Sequence, residues 1–136
     1  MSARARQPAT RVLMMPRDTN PSGTIFGGVI LSYIDQAGAE GAKLHGAGRL
    51  VTVAMKEVVF HQPVFVGDLV SFYTNLVRRG RTSVTVKVEV EAARHWERRE
   101  VVRVTEAEIT YVNVDSEGRP TPLADAQGDL DEERPR

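Results

Sequence analysis

The sequence contains no cysteine, which excludes a disulfide framework, a thiolate nucleophile and a cysteine-based zinc site. It also lacks net charge: 18 Lys and Arg balance 18 Asp and Glu. No overall field draws it to nucleic acid or to an anionic membrane, so neither is expected as a partner. A local basic patch could still grip a phosphorylated ligand. No apolar run approaches the ~20 residues that a bilayer span needs. Met1 to Ala9 holds no apolar stretch of the kind a secretory leader requires. The expected compartment is the cytoplasm.

What is present is an ordinary globular composition, 41% hydrophobic and 26% charged over 136 residues, enough for one core in one domain. Residues 1–10 read as a flexible arm, residues 11–123 as the domain, and residues 124–136 as a flexible acidic tail with little to pack. Arg11 to Met15 is a short strand ending at Pro16. A loop rich in turn formers follows (Asp18, Asn20, Pro21, Ser22, Gly23). From Gly27 to about His45 the spacing of Ile30, Ile34, Ala37 and Gly41 predicts a helix, stopped by Gly46-Ala47-Gly48. The rest is strand-like: Leu50 to Phe60, Leu69 to Val77, a reversal around Gly80, then Val84, Val86, Val88 and Val90 alternating with polar residues as a half-buried antiparallel strand. Arg94 to Arg99 turns the chain into a last strand from about Glu100 to Val114. Its apolar parity changes midway, which a bulge near Thr105 would reconcile. The fold class is α+β: one long helix packed on a curved antiparallel sheet of about five strands, in meander-like succession, with most of the helix circumference buried.

The helix is unusual. Its first two turns are apolar apart from Ser32, and interior Gly38 and Gly41 each cost roughly 1 kcal/mol against alanine, a cost usually tied to close approach of a backbone or ligand. One acid, Asp35, stands in this setting, a turn or so past the helix start. Locally two readings stand: Asp35 faces solvent with no chemical task, or it is a functional carboxylate. Gly27-Gly28 likewise is either a tight loop-to-helix junction or an exposed set of helix-start N–H groups able to hold an oxyanion.

Asp18-Thr19-Asn20-Pro21-Ser22-Gly23-Thr24-Ile25-Phe26-Gly27-Gly28 with Asp35-Gln36-Ala37-Gly38-Ala39 resembles the acyl-CoA hydrolase family of hotdog-fold thioesterases, of the bacterial broad-specificity type. Val51-Thr52-Val53-Ala54, Phe60-His61-Gln62-Pro63-Val64 with Val66-Gly67-Asp68, Gly80-Arg81-Thr82-Ser83, and Tyr111-Val112-Asn113-Val114-Asp115 agree. The resemblance covers residues 11 to 123. It implies a hotdog fold and hydrolysis of acyl-CoA to fatty acid and CoA. Asp35 would be the general base or nucleophile, and Asn20, from the partner subunit, would place water or carbonyl. The helix start at Gly27-Gly28 would be the oxyanion hole, with the Gly28 amide as donor. Arg81, Thr82 and Ser83 would contact CoA, Arg81 at a phosphate. It further implies a homodimer with shared active sites, a trimer of dimers, and no cofactor or metal, since coenzyme A is part of substrate and product. Such chemistry suits one carboxylate and a helix N-terminus, because a thiolate leaves with little acid assistance. His61 is a further candidate for touching substrate; His45 sits at a helix end, where a cation is favourable anyway.

Two departures from the family pattern, Lys56 before Glu57 and Glu91 with Trp96 five residues on, bear on acyl preference and the CoA rim. The alternatives are a non-catalytic acyl-CoA-binding hotdog protein and a hotdog hydratase or dehydratase. The latter needs an acid/base pair near the helix, which Phe26-Gly27-Gly28 does not supply.

Overall fold

The alternating valines of the central strand organise the domain. In the computed structural model, which describes residues 6–94 and 100–124, the elements are β1 (Thr10–Leu13), α1 (Gly27–Lys43), β2 (Arg49–Lys56), β3 (Leu69–Arg79), β4 (Ser83–Ala93) and β5 (Val101–Val114), with a 3-10 turn at Pro16–Asp18. Residues 1–5, Trp96 with its neighbours, and residues 125–136 lie outside the described part, and with them most of the arm and tail expected from sequence. The five strands form one antiparallel sheet in the order β1-β3-β4-β5-β2. α1 packs across β3, β4 and β5.

Val84, Val86, Val88 and Val90 are buried, as are Val70, Phe72, Val104, Ile109 and Tyr111 on neighbouring strands, in one core cluster with Ile30 and Ile34 of the helix. Each such side chain contributes about 1.5–3 kcal/mol of apolar burial. The glycines let the helix come close. A Cβ on Gly38 would collide with the Tyr111 hydroxyl, and one on Gly41 would stand 2.8 Å from the Thr74 Oγ1.

The bulge in β5 is where the change of parity puts it. Val90 pairs with Thr105 but Glu91 pairs with Arg103, so Val104 is the extra residue. Both Val104 and Thr105 are buried, which is how Val102 and Val104 share the core with Ala107, Ile109 and Tyr111 despite opposite parity.

Three expectations need correction. The strands are not a plain meander: β2 leaves the helix and pairs with β5, the last strand, while β3 lies beside β1. The strand from Leu50 ends at Lys56, not Phe60, because Glu57 adopts φ 56°, a left-handed conformation that breaks an extended run. The helix also keeps a wet stripe, with Gly28, Ser32, Gln36 and Glu40 exposed at every fourth position, since the sheet covers only one side of it.

At the far end of the sheet Asn113, almost fully buried, joins four segments. Its Oδ1 accepts from the Gly48 N–H at 2.8 Å, its Nδ2 donates to the Thr121 and Pro122 carbonyls, and its N–H donates to the Thr82 carbonyl. The N-terminal side is fastened too: Arg6 pairs with Glu89 at 2.9 Å and lies over the Tyr73 ring.

Candidate active site

Asp35 is half-buried on α1, eight residues beyond Gly27. That is more than two turns into the helix, deeper than a turn or so past its start. Two strand residues hold it. The Thr52 hydroxyl of β2 donates to its Oδ1 at 2.8 Å, and the Tyr111 phenol of β5 donates to its backbone carbonyl at 2.6 Å. Oδ2 accepts no hydrogen bond among the described residues. A carboxylate fixed at one oxygen and open at the other can take a proton from water or attack an electrophile. Tyr111 is held well above the ordinary phenol value, first by burial and then by the nearby Asp35 charge. It therefore stays neutral and continues to donate.

Thr52, which holds Asp35, stands at an irregularity of β2. The β2–β5 register shifts between Thr52 and Ala54. Sequence reading missed the Thr52 and Tyr111 roles. Both residues lie inside segments that carried the family resemblance, but nothing local pairs Thr52 with a residue 17 positions earlier.

The helix start is different. Phe26 occupies the N-cap position without a side-chain cap. Among the described residues the Gly27 and Gly28 N–H groups donate to no carbonyl or side chain. A Cβ on Gly28 would meet nothing within 4 Å, whereas Gly27 lies under the Phe60 ring, 3.6 Å from a Cβ position. Beside this start opens a cleft of about 320 Å³ lined by Ile25, Gly27, Ile30, Phe60, His61 and Val64, among others. Its floor is apolar and buried; its mouth, with His61 and Gln62, is exposed. Unpaired N–H groups at the positive end of a helix suit a developing negative charge.

The remaining sequence candidates are dispersed. Asn20 uses its carboxamide within its own loop: Oδ1 accepts from the Ser22 and Thr24 N–H groups at 2.9 and 3.1 Å, and Nδ2 donates to the Thr24 hydroxyl at 2.9 Å. Arg81, Thr82 and Ser83 form the β3–β4 turn, closed by the Gly80 N–H to the Ser83 carbonyl at 2.8 Å, with Arg81 exposed. Gly27 and His61 share the cleft. Asp35 and Gly28 lie on one helix, seven residues apart, or roughly 10 Å along its axis. Asp35, Asn20 and Arg81 do not line that cleft.

A family model described as the thioesterase superfamily matches residues 22–97, from the loop before α1 through β4. The chain belongs to the thioesterase superfamily. Among curated members, the acyl-CoA thioester hydrolase YciA of Escherichia coli is 42% identical over 120 residues, covering 83% of this chain and 87% of that protein. Among solved structures, a hexameric hotdog-fold thioesterase of Campylobacter jejuni matches with a TM-score of 0.81 at 45% identity, covering 86% of this chain and 90% of the other. A hexameric thioesterase of Yersinia pestis gives 0.82 at 40% identity, covering 88% and 96%. The superfamily's hotdog fold is the helix-on-curled-sheet arrangement described above.

Proposed function

We propose that this superfamily member hydrolyses acyl-CoA to a free carboxylic acid and coenzyme A, with Asp35 as the catalytic carboxylate. The supporting observation is the Asp35 carboxylate itself, half-buried, held at one oxygen by Thr52 and open at the other. Acting as base, Asp35 takes a proton from water as the water oxygen attacks the thioester carbonyl; acting as nucleophile, it attacks that carbon itself to form a mixed anhydride, which water then hydrolyses to the free acid, regenerating Asp35. In both routes negative charge gathers on the carbonyl oxygen, the C–S bond breaks, and CoA leaves as a thiolate. No cofactor takes part, because coenzyme A enters and leaves with the substrate.

The helix-start amide of Gly28 is the oxyanion donor in this reading. Seven residues of helix separate it from Asp35, whereas both groups must stand about 3 Å from one reacting carbonyl. This separation favours a site assembled from two chains, Asp35 from one and the helix start and Asn20 loop from the other. Asn20 has one amide hydrogen to spare after bonding Thr24, because a carboxamide carries two. Exposed Arg81, with Thr82 and Ser83 beside it, is the partner for CoA phosphates. The two solved relatives above are hexameric thioesterases, consistent with a homodimer repeated as a trimer of dimers. The cytoplasm is the expected compartment.

The test is thiol release from acyl-CoAs of several chain lengths by the wild type, Asp35→Ala and Asn20→Ala, with the molecular mass measured in the same preparation. Release by the wild type and its loss in Asp35→Ala are expected from an oligomer. Silence of the wild type across the panel, full activity in Asp35→Ala, or a fully active monomer would overturn the reading.

A further inference from the structure

Between β2 and β3 the chain leaves the sheet at Glu57 and runs to Asp68 before re-entering it. This loop forms one wall of the cleft at the helix start, through Phe60, His61, Gln62, Pro63 and Val64. Without strand pairing, its backbone must be held by other groups. At its far end Arg94 donates to the Pro63 carbonyl at 3.0 Å and pairs with buried Asp68, whose Oδ2 also accepts from the Phe65 N–H at 2.9 Å. At its near end the attachment is the β5 bulge. The bulge residue Val104 turns its carbonyl to the His61 N–H at 2.8 Å, and the Thr105 hydroxyl donates to the Val59 carbonyl at 2.6 Å. Thr105 is fully buried, at 0% exposure. A valine there would serve the strand and core equally well; the hydroxyl's short bond goes to the loop, and its contact with the Glu106 carbonyl of β5 is long, at 3.5 Å.

We propose that Thr105 is a positioning residue for substrate binding: by holding the Val59 carbonyl beside the His61 amide that Val104 anchors, it sets the distance between the Phe60–His61 wall and the helix-start amides. The claim rests on the cleft being the substrate site of the proposed thioesterase. Phe60 is the point of transmission, since its ring packs on Gly27 while its backbone lies between the two anchored residues. Asp35 lies outside this linkage, held by Thr52 and Tyr111, so Thr105 acts on binding and not on the carboxylate.

The experiment compares wild type, Thr105→Val and Thr105→Ser by amide hydrogen exchange over residues 58–64 and by steady-state hydrolysis of acyl-CoA. Thr105→Val keeps the shape and removes the donor. By freeing the Val59 carbonyl it is expected to loosen the loop so that the neighbouring His61 amide, still facing Val104, exchanges about ten-fold faster and KM rises by a similar factor, as loss of one buried hydrogen bond predicts, with kcat changed less than about two-fold. Thr105→Ser, which keeps the hydroxyl, should restore both. Should Thr105→Val not fold, Thr105→Ala against Thr105→Ser reads the same contrast. Unchanged exchange in the variant lacking the hydroxyl overturns the proposal whether or not the protein hydrolyses anything. So does raised exchange with unchanged KM, or failure of Thr105→Ser to restore. Absence of hydrolysis by the wild type, with the exchange contrast intact, overturns the thioesterase reading instead.

Discussion

The start of α1 and the stretch from Asp35 onward are built on opposite principles. Around Asp35 the helix is pressed onto the sheet: Gly38 and Gly41 admit Tyr111 and Thr74, and the Tyr111 and Thr52 hydroxyls bond the Asp35 turn. At Gly27-Gly28 the helix is uncapped, its first amides are unpaired among the described residues, and the space over Gly28 is open. The glycines thus serve different ends on one helix. Gly38 and Gly41 are small because protein fills the space where a side chain would go, and Gly28 is small where nothing among the described residues does. A reactive carboxylate gains from being fixed in advance, whereas an anion-binding helix end has to stay accessible.

The sharpest test of that contrast removes the group the crowded stretch holds. Asp35→Ala should lower hydrolysis by roughly 10³-fold with little change in melting temperature, read by thiol release and thermal unfolding together. Next comes the pair of glycines. Gly38→Ala should destabilise the fold by about 1–3 kcal/mol through collision with Tyr111. Gly28→Ala should leave stability unchanged or raise it by up to ~1 kcal/mol while lowering hydrolysis, because its methyl obstructs approach to an amide that it leaves in place. Denaturant unfolding and kinetics on both variants decide this, and equal losses of stability would erase the distinction between the two stretches.

A third effect concerns pH. The Tyr111 phenol in the folded chain titrates above its ordinary value of 10.0, through burial and the Asp35 charge. The neutral phenol's contribution is therefore complete below pH 10 and is lost as pH rises through and beyond that value, where only the unfolded chain gives up its proton. Tyr111→Phe should flatten this alkaline fall in stability and cost about 1 kcal/mol at neutral pH. The smallest effect is expected from Thr52→Val, which frees Oδ1 of Asp35. It should lower kcat about five-fold, the equivalent of roughly 1 kcal/mol, without the stability loss of Gly38→Ala.

Much of the fold could be read from local pattern. The valine alternation of β4, the helix start at Gly27 and the β5 bulge near Thr105 each leave a signature within a few residues. The overrun at Phe60 has the same origin: Val58, Val59 and Phe60 are strand-forming residues, yet they leave the sheet, and Phe60 packs on the helix start. The pairing of β2 with β5 has no local signature, because nothing in either strand names its partner. The site divides similarly. Asp35 and Gly28 stand out as an acid and a glycine where neither is ordinary. Thr52, Tyr111 and Thr105 look like any strand residues, and only the folded chain shows that their hydroxyls point at Asp35 and at the loop.

The β2–β5 pairing also bears on how the chain is made. β2 is synthesised early, but among the described residues its one neighbour within the sheet is β5, and the bond from Gly48 to Asn113 spans 65 residues. Until β5 has emerged, both edges of β2 are bare, with Val51 and Val53 beside them. Closing so long a loop is entropically slow, and an unpaired strand is a template for wrong partners. A nascent chain stopped before Val101 would carry the Asp35 helix complete and have no sheet edge against which to seat Thr52.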